Sequence, residues 1–348
     1  MTLRRGVAIG CGGVLGFAWT AVALDAVEHA LDWDVRTADA LIGTSAGAEL
    51  VAALGSGRTP TDLLAALDGA PDADPVLSAH LAVDPGKFPP LPALGLPAFG
   101  LIGAGVRGRS PYTALAGLLP RGRGDAGWLR SFGDALAGPN GWVNHPATWI
   151  VGADAATGER VAFGADGTGH NPATAKNGSA APNPGTVGGP EANVASTRSA
   201  DPTVGLGDAI AASWAIPGWF PPVRIGAKSY VDGGSVSSAS ADLLVPLELD
   251  EVVVIAPMTS QGGASGAGLD RVERLLRAQM TRVLDREVAV LRAAGTRVIR
   301  VEPGPEELAA MGPNFMDSAR RPATIAAARR SLPDRVAEAL DTSPGQLA

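Results

Sequence analysis

Residues 40–54 read Ala-Leu-Ile-Gly-Thr-Ser-Ala-Gly-Ala-Glu-Leu-Val-Ala-Ala-Leu, and the way this stretch divides decides the fold. Its first four residues form a short apolar run of the kind that fills a buried strand, whereas residues 48–54 are strong helix formers. Between the two, Gly43-Thr44-Ser45-Ala46-Gly47 matches Gly-x-Ser-x-Gly. In that motif a serine occupies a sharp strand-to-helix turn, and the flanking glycines leave room for neighbouring backbone. In so glycine-rich a chain the pentapeptide also occurs by chance as a plain Gly/Ser turn, so the strand before it and the helix after it carry the argument for an elbow.

Upstream, residues 6–10 form another short apolar strand that runs into Gly10, Gly12, Gly13 and Gly16, and apolar positions recur at helical spacing over 17–31. The order strand, helix, strand, helix predicts an α/β fold with a mostly parallel sheet, its ligand site beyond the carboxyl ends of the strands. The glycine loop opens a helix, so its successive N–H groups suit an anion or a developing oxyanion. A Walker loop would need Gly-Lys-Ser/Thr, and a dinucleotide fingerprint starting at Gly10 would need glycine where Leu15 stands. A tight strand-to-helix connection without a ligand stays open, and Cys11 reads as a space-filling residue.

Downstream, a helix is predicted after Thr59, with Pro60 at its first position and an end near Gly69. A strand over 148–153, a turn at 156–158 and a strand over 160–163 suggest a hairpin. Residues 251–256 and 297–301 read as strands, 269–294 as a long amphipathic helix, and the remainder as helical. The whole is expected to be one large domain with two insertions. Residues 71–108, rich in Pro and Gly but also in Leu, Phe and Ile, read as an irregular apolar cap. Its Phe88, Leu91, Leu94, Leu96, Phe99, Leu101 and Ile102 leave three roles open: an acyl-chain pocket, a membrane contact or ordinary core. Residues 164–200 have almost no large apolar side chain to offset the entropy of ordering, and are expected to be a disordered insertion.

The composition narrows the function classes. Apolar residues make up 46% of the 348 and charged residues 18%, enough to build a buried sheet. A net charge of −7 and a pI near 5.2 argue against a nucleic-acid partner. The single cysteine excludes an internal disulfide, which fits a cytoplasmic location. The N-terminus does not read as a signal peptide, and prolines break the apolar stretch 88–106, so no membrane span is expected. A Ser-His-Asp triad needs an imidazole within reach of the serine, yet none of His29, His80, His145 and His170 has a recognisable catalytic context; His145 reads as structural. The His and Cys content offers no zinc site, and neither metal nor other cofactor is expected.

Asp232-Gly233-Gly234 follows the apolar pair Tyr230-Val231, which places a carboxylate at a strand end; alone, this step reads as a turn. Before it stands Ala-Ser-Trp-Ala-Ile-Pro-Gly-Trp-Phe-Pro-Pro over 212–222. In chain order, the glycine loop, the Gly-x-Ser-x-Gly elbow, this segment and Asp-Gly-Gly resemble the patatin-like phospholipases, across Gly10 to Gly234. The resemblance implies a three-layer α/β/α fold, with Ser45 as nucleophile and Asp232 as its base in a Ser-Asp dyad. It implies oxyanion donors at Gly12 and Gly13, joined by the N–H of Ala46, and support of the elbow and dyad by Gly43, Gly47, Gly233 and Gly234. The expected reaction is hydrolysis of fatty acyl esters, of phospholipase A or esterase type, through an acyl-enzyme and without a cofactor. The expected partner is a lipid or ester substrate; peripheral membrane contact is left open, and oligomeric state has no signature in the sequence. In one departure, Leu15 stands where the family usually carries Arg or Lys before the last glycine of the loop. That departure keeps an alternative alive, a catalytically silent protein of the same fold that binds lipid or a partner.

Overall fold

The computed structural model describes residues 3–91, 99–107, 111–164, 204–260 and 269–342. Its sheet grows from the N-terminal unit. β1 (Arg5–Ile9) pairs in parallel with β2 (Ala40–Thr44), Gly6 opposite Ala40 and Ile9 opposite Gly43, and α1 (Gly13–Leu31) joins them. β7 (Glu251–Ile255) lies on the other edge of β1, with β8 (Arg297–Val301) beyond it, both parallel. β3 (Thr148–Asp154) extends the parallel set past β2. Three short strands complete the eight: β4 (Arg160–Phe163) and β6 (Lys228–Asp232) run antiparallel to β3, and β5 (Val223–Ile225) pairs with β6.

The two-residue period of the strands sorts their side chains into two cores. Val7, Ile9, Leu41, Ile150, Val253, Ile255 and Ile299 face a layer holding α1, α2 (Ala46–Gly55), α3 (Pro60–Asp68), α4 (Pro75–Leu81), α7 (Gly127–Leu136), α8 (Leu206–Ser213) and α11 (Arg321–Asp341). Ala8, Ile42, Trp149, Val151, Val252, Val254 and Val298 face the opposite way, onto Leu284, Val288 and Leu291 of α9 (Leu269–Ala293) and the 3-10 turn Ala241–Leu247. The result is the expected α/β/α sandwich. α5 (Phe99–Arg107) and α6 (Pro111–Leu118) pair with each other, and α10 (Pro305–Met311) packs on α11. α1 is long and apolar enough to cross a membrane, yet it is buried from Gly13 to Leu24 in the core.

The registers on β3 decide where the site lies. A strand has two edges. Ile150 and Val151 pair with both β2 and β4, and Gly152 and Ala153 pair with both β4 and β6. β2 and β6 therefore share one edge, β2 ending with Thr44 opposite Val151 and β6 starting, in space, with Asp232 opposite Gly152.

Two expectations need correction. α1 begins at Gly13, four residues before the apolar periodicity starts, so half of the glycine loop is already helix. The segment 71–108 is less irregular than its composition suggests. Asp74 caps α4 by accepting from the N–H groups of Val76 and Leu77 at 2.8 and 3.0 Å, and Pro75 suits the first helical position. α5 follows, while 92–98 and 108 lie outside the described residues, as do 165–200 of the low-complexity segment.

A buried ionic cluster ties the hairpin to the far layer. Arg160 on β4 donates to both carboxylate oxygens of Asp242 at 2.7 Å and reaches Glu287 of α9 at 3.4 Å, while Ser237 also donates to Glu287. Burial and the neighbouring Asp242 push Glu287 above the usual carboxylate range. Replacing Arg160 by Leu strands two carboxylates in a place from which water is excluded; unfolding in urea should show a loss of about 3–5 kcal/mol.

Candidate active site

Ser45 stands between the last residue of β2 and the first of α2, with φ 57° and ψ −119°, a left-handed conformation for a residue with a Cβ. Such backbone costs on the order of 1–3 kcal/mol and persists only where its surroundings enforce it. Here the glycines on either side make the turn feasible. A Cβ on Gly43 would lie 2.2 Å from the carbonyl oxygen of Gly47, and one on Gly47 would lie 2.2 Å from that of Ile9. The serine itself is 2% exposed.

Asp232 ends β6 and is buried. Its Oδ1 accepts from the N–H of Gly234 at 2.7 Å, the Ser45 hydroxyl nearby lowers its proton affinity, and its own N–H donates to Ala215 O at 3.0 Å. Burial drives the carboxyl from its ordinary value near 3.8 up to about 7, against the pull of Gly234 and Ser45. Gly12 and Gly13 open α1 and Ala46 opens α2, so their N–H groups belong to the helix-initial donors that lack intrahelical partners. Gly13 has φ +57°, and a Cβ there would come within 2.5 Å of Phe315.

Gly12, Gly13, Ser45 and Asp232 all line one cleft of about 390 Å³, whose remaining wall is mainly apolar: Ile216, Pro217, Met258, Leu276, Met280 and Phe315. Among the described residues no Lys or Arg lines it. Leu15 is fully buried in the core, so its side chain belongs to packing beneath the loop. Cys11 borders the cleft but is 7% exposed, and burial together with nearby Asp232 raises its thiol far above the ordinary value, which suits a filler.

The apolar segment divides its roles. Leu101 is fully buried beside Ala153 and Val231, whereas Phe88 and Leu91 are exposed, and none of Phe88, Leu91, Leu101 and Ile102 borders the cleft; Leu94 and Leu96 lie outside the described residues. Trp214 and Trp219 are core residues; it is Ile216 and Pro217 between them that reach the site. His145 is structural, its Nε2 2.8 Å from Ala38 O.

His80 is the histidine whose surroundings the sequence concealed. It lies in α4 with Nε2 2.7 Å from Glu49, which sits one turn beyond Ser45 in α2, and its ring stacks on Trp128 and Phe132. Burial raises the Glu49 carboxyl, and His80 opposes that rise. An acid inside an otherwise apolar helix was the available signal. Among the described residues no cluster of His, Cys, Asp or Glu could hold a metal ion.

A family model described as patatin-like phospholipase matches residues 7–245, from within β1 to the 3-10 turn after Asp232. A search among curated proteins finds no match.

The high proton affinity of Asp232 has a measurable consequence for stability. The folded state holds this proton more tightly than the unfolded chain, so the contribution is fully favourable below about pH 4 and is lost as pH rises to about 7. Asp232→Asn should therefore unfold at higher denaturant than the wild type at pH 8, with the gap closing near pH 4.

Proposed function

Because the chain belongs to the patatin-like phospholipase family, we propose that it is a serine acyl hydrolase of lipid esters, in which Ser45 and Asp232 act as a dyad. The observation that carries this reading is the pairing of a strained, buried serine with a buried carboxylate whose basicity is raised, at the mouth of an apolar cleft. An ordinary aspartate is a feeble base at neutral pH; one that titrates near 7 is well matched to remove a hydroxyl proton. Ser45 Oγ attacks the ester carbonyl as Asp232 takes its proton. The carbonyl oxygen, now an oxyanion, is met by the N–H groups of Gly12, Gly13 and Ala46, each worth a few kcal/mol in a water-poor site. Collapse expels the alcohol, which leaves with a proton from Asp232, and a water activated by the same carboxylate releases the fatty acid from the acyl-enzyme.

The acyl chain fits the wall formed by Met258, Leu276, Met280 and Phe315, thioethers and hydrocarbons that adapt to chain shape. Exposed apolar side chains stand around this cleft. Leu275 precedes Leu276; Leu119 approaches Gly218, beside Pro217; and Phe88 follows Lys87, whose carbonyl accepts from Asn314 next to Phe315. This placement supports peripheral contact with a lipid surface, from which an ester enters the cleft without crossing water.

Purified protein should hydrolyse p-nitrophenyl esters and phospholipids and be labelled at Ser45 by a fluorophosphonate. Ser45→Ala should abolish both, and Asp232→Asn should lower kcat by on the order of 10³-fold or more. Wild-type protein that is folded yet neither labels nor turns over any ester would instead favour a silent lipid-binding role. The profile of kcat/KM should rise with pH through an apparent pKa of about 7, tenfold per unit below it, because the base must be ionised. Replacing Leu119 and Leu275 by Asp should weaken binding to and turnover on phospholipid vesicles, while hydrolysis of a short soluble ester stays unchanged.

A further inference from the structure

The ladder between β2 and β3 is regular until it reaches the elbow. Leu41 lies opposite Thr148 and its N–H donates to Ala147 O at 2.8 Å. In a parallel ladder one strand donates to the same neighbour at every second residue. The following rungs on this edge belong to Gly43 with Trp149 O and then to Ser45 with Val151 O. That last rung is not made directly. The N–H of Ser45 donates to the hydroxyl of Ser213 at 2.8 Å, and that hydroxyl donates to Val151 O at 2.7 Å. A side-chain oxygen has been spliced into the sheet as an extra link.

We infer that Ser213, the last residue of α8, is a positioning residue that holds Ser45 in its attacking conformation by bridging the opened rung. The inference rests on Ser45 being the nucleophile. A hydroxyl suits the place because the link has to accept from one backbone group and donate to the other, which neither an apolar side chain nor a carboxylate does. The extra link lets β2 swing away from β3 while the backbone polar groups of Ser45 and Val151 stay paired, in a region where Ser213 and Val151 are fully buried. Without the bridge, the N–H of Ser45 has two ways to regain a partner. It can fall back toward Val151 O, which flattens the elbow and pulls Oγ from Asp232, or it can take a water into the gap.

The residue also links both halves of the site. Two positions after Ser213, the carbonyl of Ala215 accepts from the N–H of Asp232. One short stretch of backbone therefore fixes the Ser45 amide through a side chain and the Asp232 amide through a carbonyl, so the distance between the two reacting side chains is set by a shared support.

The test compares wild type with Ser213→Ala and Ser213→Cys, reading kcat and KM on a soluble p-nitrophenyl ester, the rate of fluorophosphonate labelling of Ser45, and thermal unfolding. Cysteine nearly preserves the volume but is a weak donor and acceptor. Both variants should lose on the order of 10²-fold in kcat, the loss expected from a displacement near 1 Å, with a parallel loss in labelling rate and no change in KM. A cysteine variant as active as the wild type would show that only volume matters and would overturn the inference, as would a folded alanine variant with unchanged kcat. If the alanine variant does not fold, the cysteine variant carries the comparison. Failure of both to fold, with a folded and active Ser213→Thr, would reduce the hydroxyl to a stability role and also overturn it. Wild-type protein that neither labels nor hydrolyses overturns the functional reading itself, and this inference with it; active, labelled wild type beside equally active Ser213 variants overturns the inference alone.

Discussion

Along one edge of β3, two strands of opposite direction meet head to head: Thr44 of β2 is opposite Val151, and Asp232 of β6 is opposite Gly152. If β2 continued by one residue in the plane of the sheet, it would run into β6. It has to leave, and the sharpness of its departure is set by the single residue available for it. Ser45 therefore takes up φ 57°, α2 starts at once, and Gly43 and Gly47 are stripped of side chains because the backbones now press on each other. The contact between serine and aspartate follows from the same collision. The residue at which one strand turns out and the residue at which the other ends are neighbours whatever their side chains, and here those side chains are a hydroxyl and a carboxylate.

The electrostatics of the site come mainly from backbone. α1 and α2 both begin near Ser45, so the positive ends of two helix dipoles lie beside it, and Gly12 and Gly13 line the cleft. Among the described residues no cationic side chain lines it. Fixed amides of this kind need no reorganisation when negative charge develops and lose nothing to a flexible stem. The Asp232 carboxyl is raised by desolvation yet restrained by Gly234 and Ser45, which leaves it balanced near neutrality. Leu15, buried under the loop, does not enter this balance.

Elements with local punctuation were legible in the sequence. Thr59 and Asp62 form a reciprocal capping box and Gly69 ends the helix in the left-handed conformation, so α3 could be read from its boundaries. β4 and β8 were legible too, each preceded by a turn glycine, Gly158 or Gly295. The start of α1 was missed because Gly13 and Gly16 are poor helix formers, accepted there because Phe315, Met316 and Pro257 crowd against them. α4 and α5 were hidden by the proline and glycine content around them. At the site, Ser45, Asp232 and the glycines were recognisable through motifs. The roles of Ser213 and His80 were not, since their partners are 168 and 31 residues away and no spacing rule connects them.

The route of the chain between Ser45 and Asp232 bears on how such a protein can change over generations. After β4 the chain reaches Gly164, and it re-enters the described structure at Val204, just before α8. Both ends of that connection are anchored on β3, β4 through its ladder and α8 through the Ser213 bond to Val151. The positions of Ser45 and Asp232 are therefore set from both sides by anchors on one strand, and a lineage keeps their geometry for as long as the contacts that β2, β4, β6 and Ser213 make with β3 are inherited.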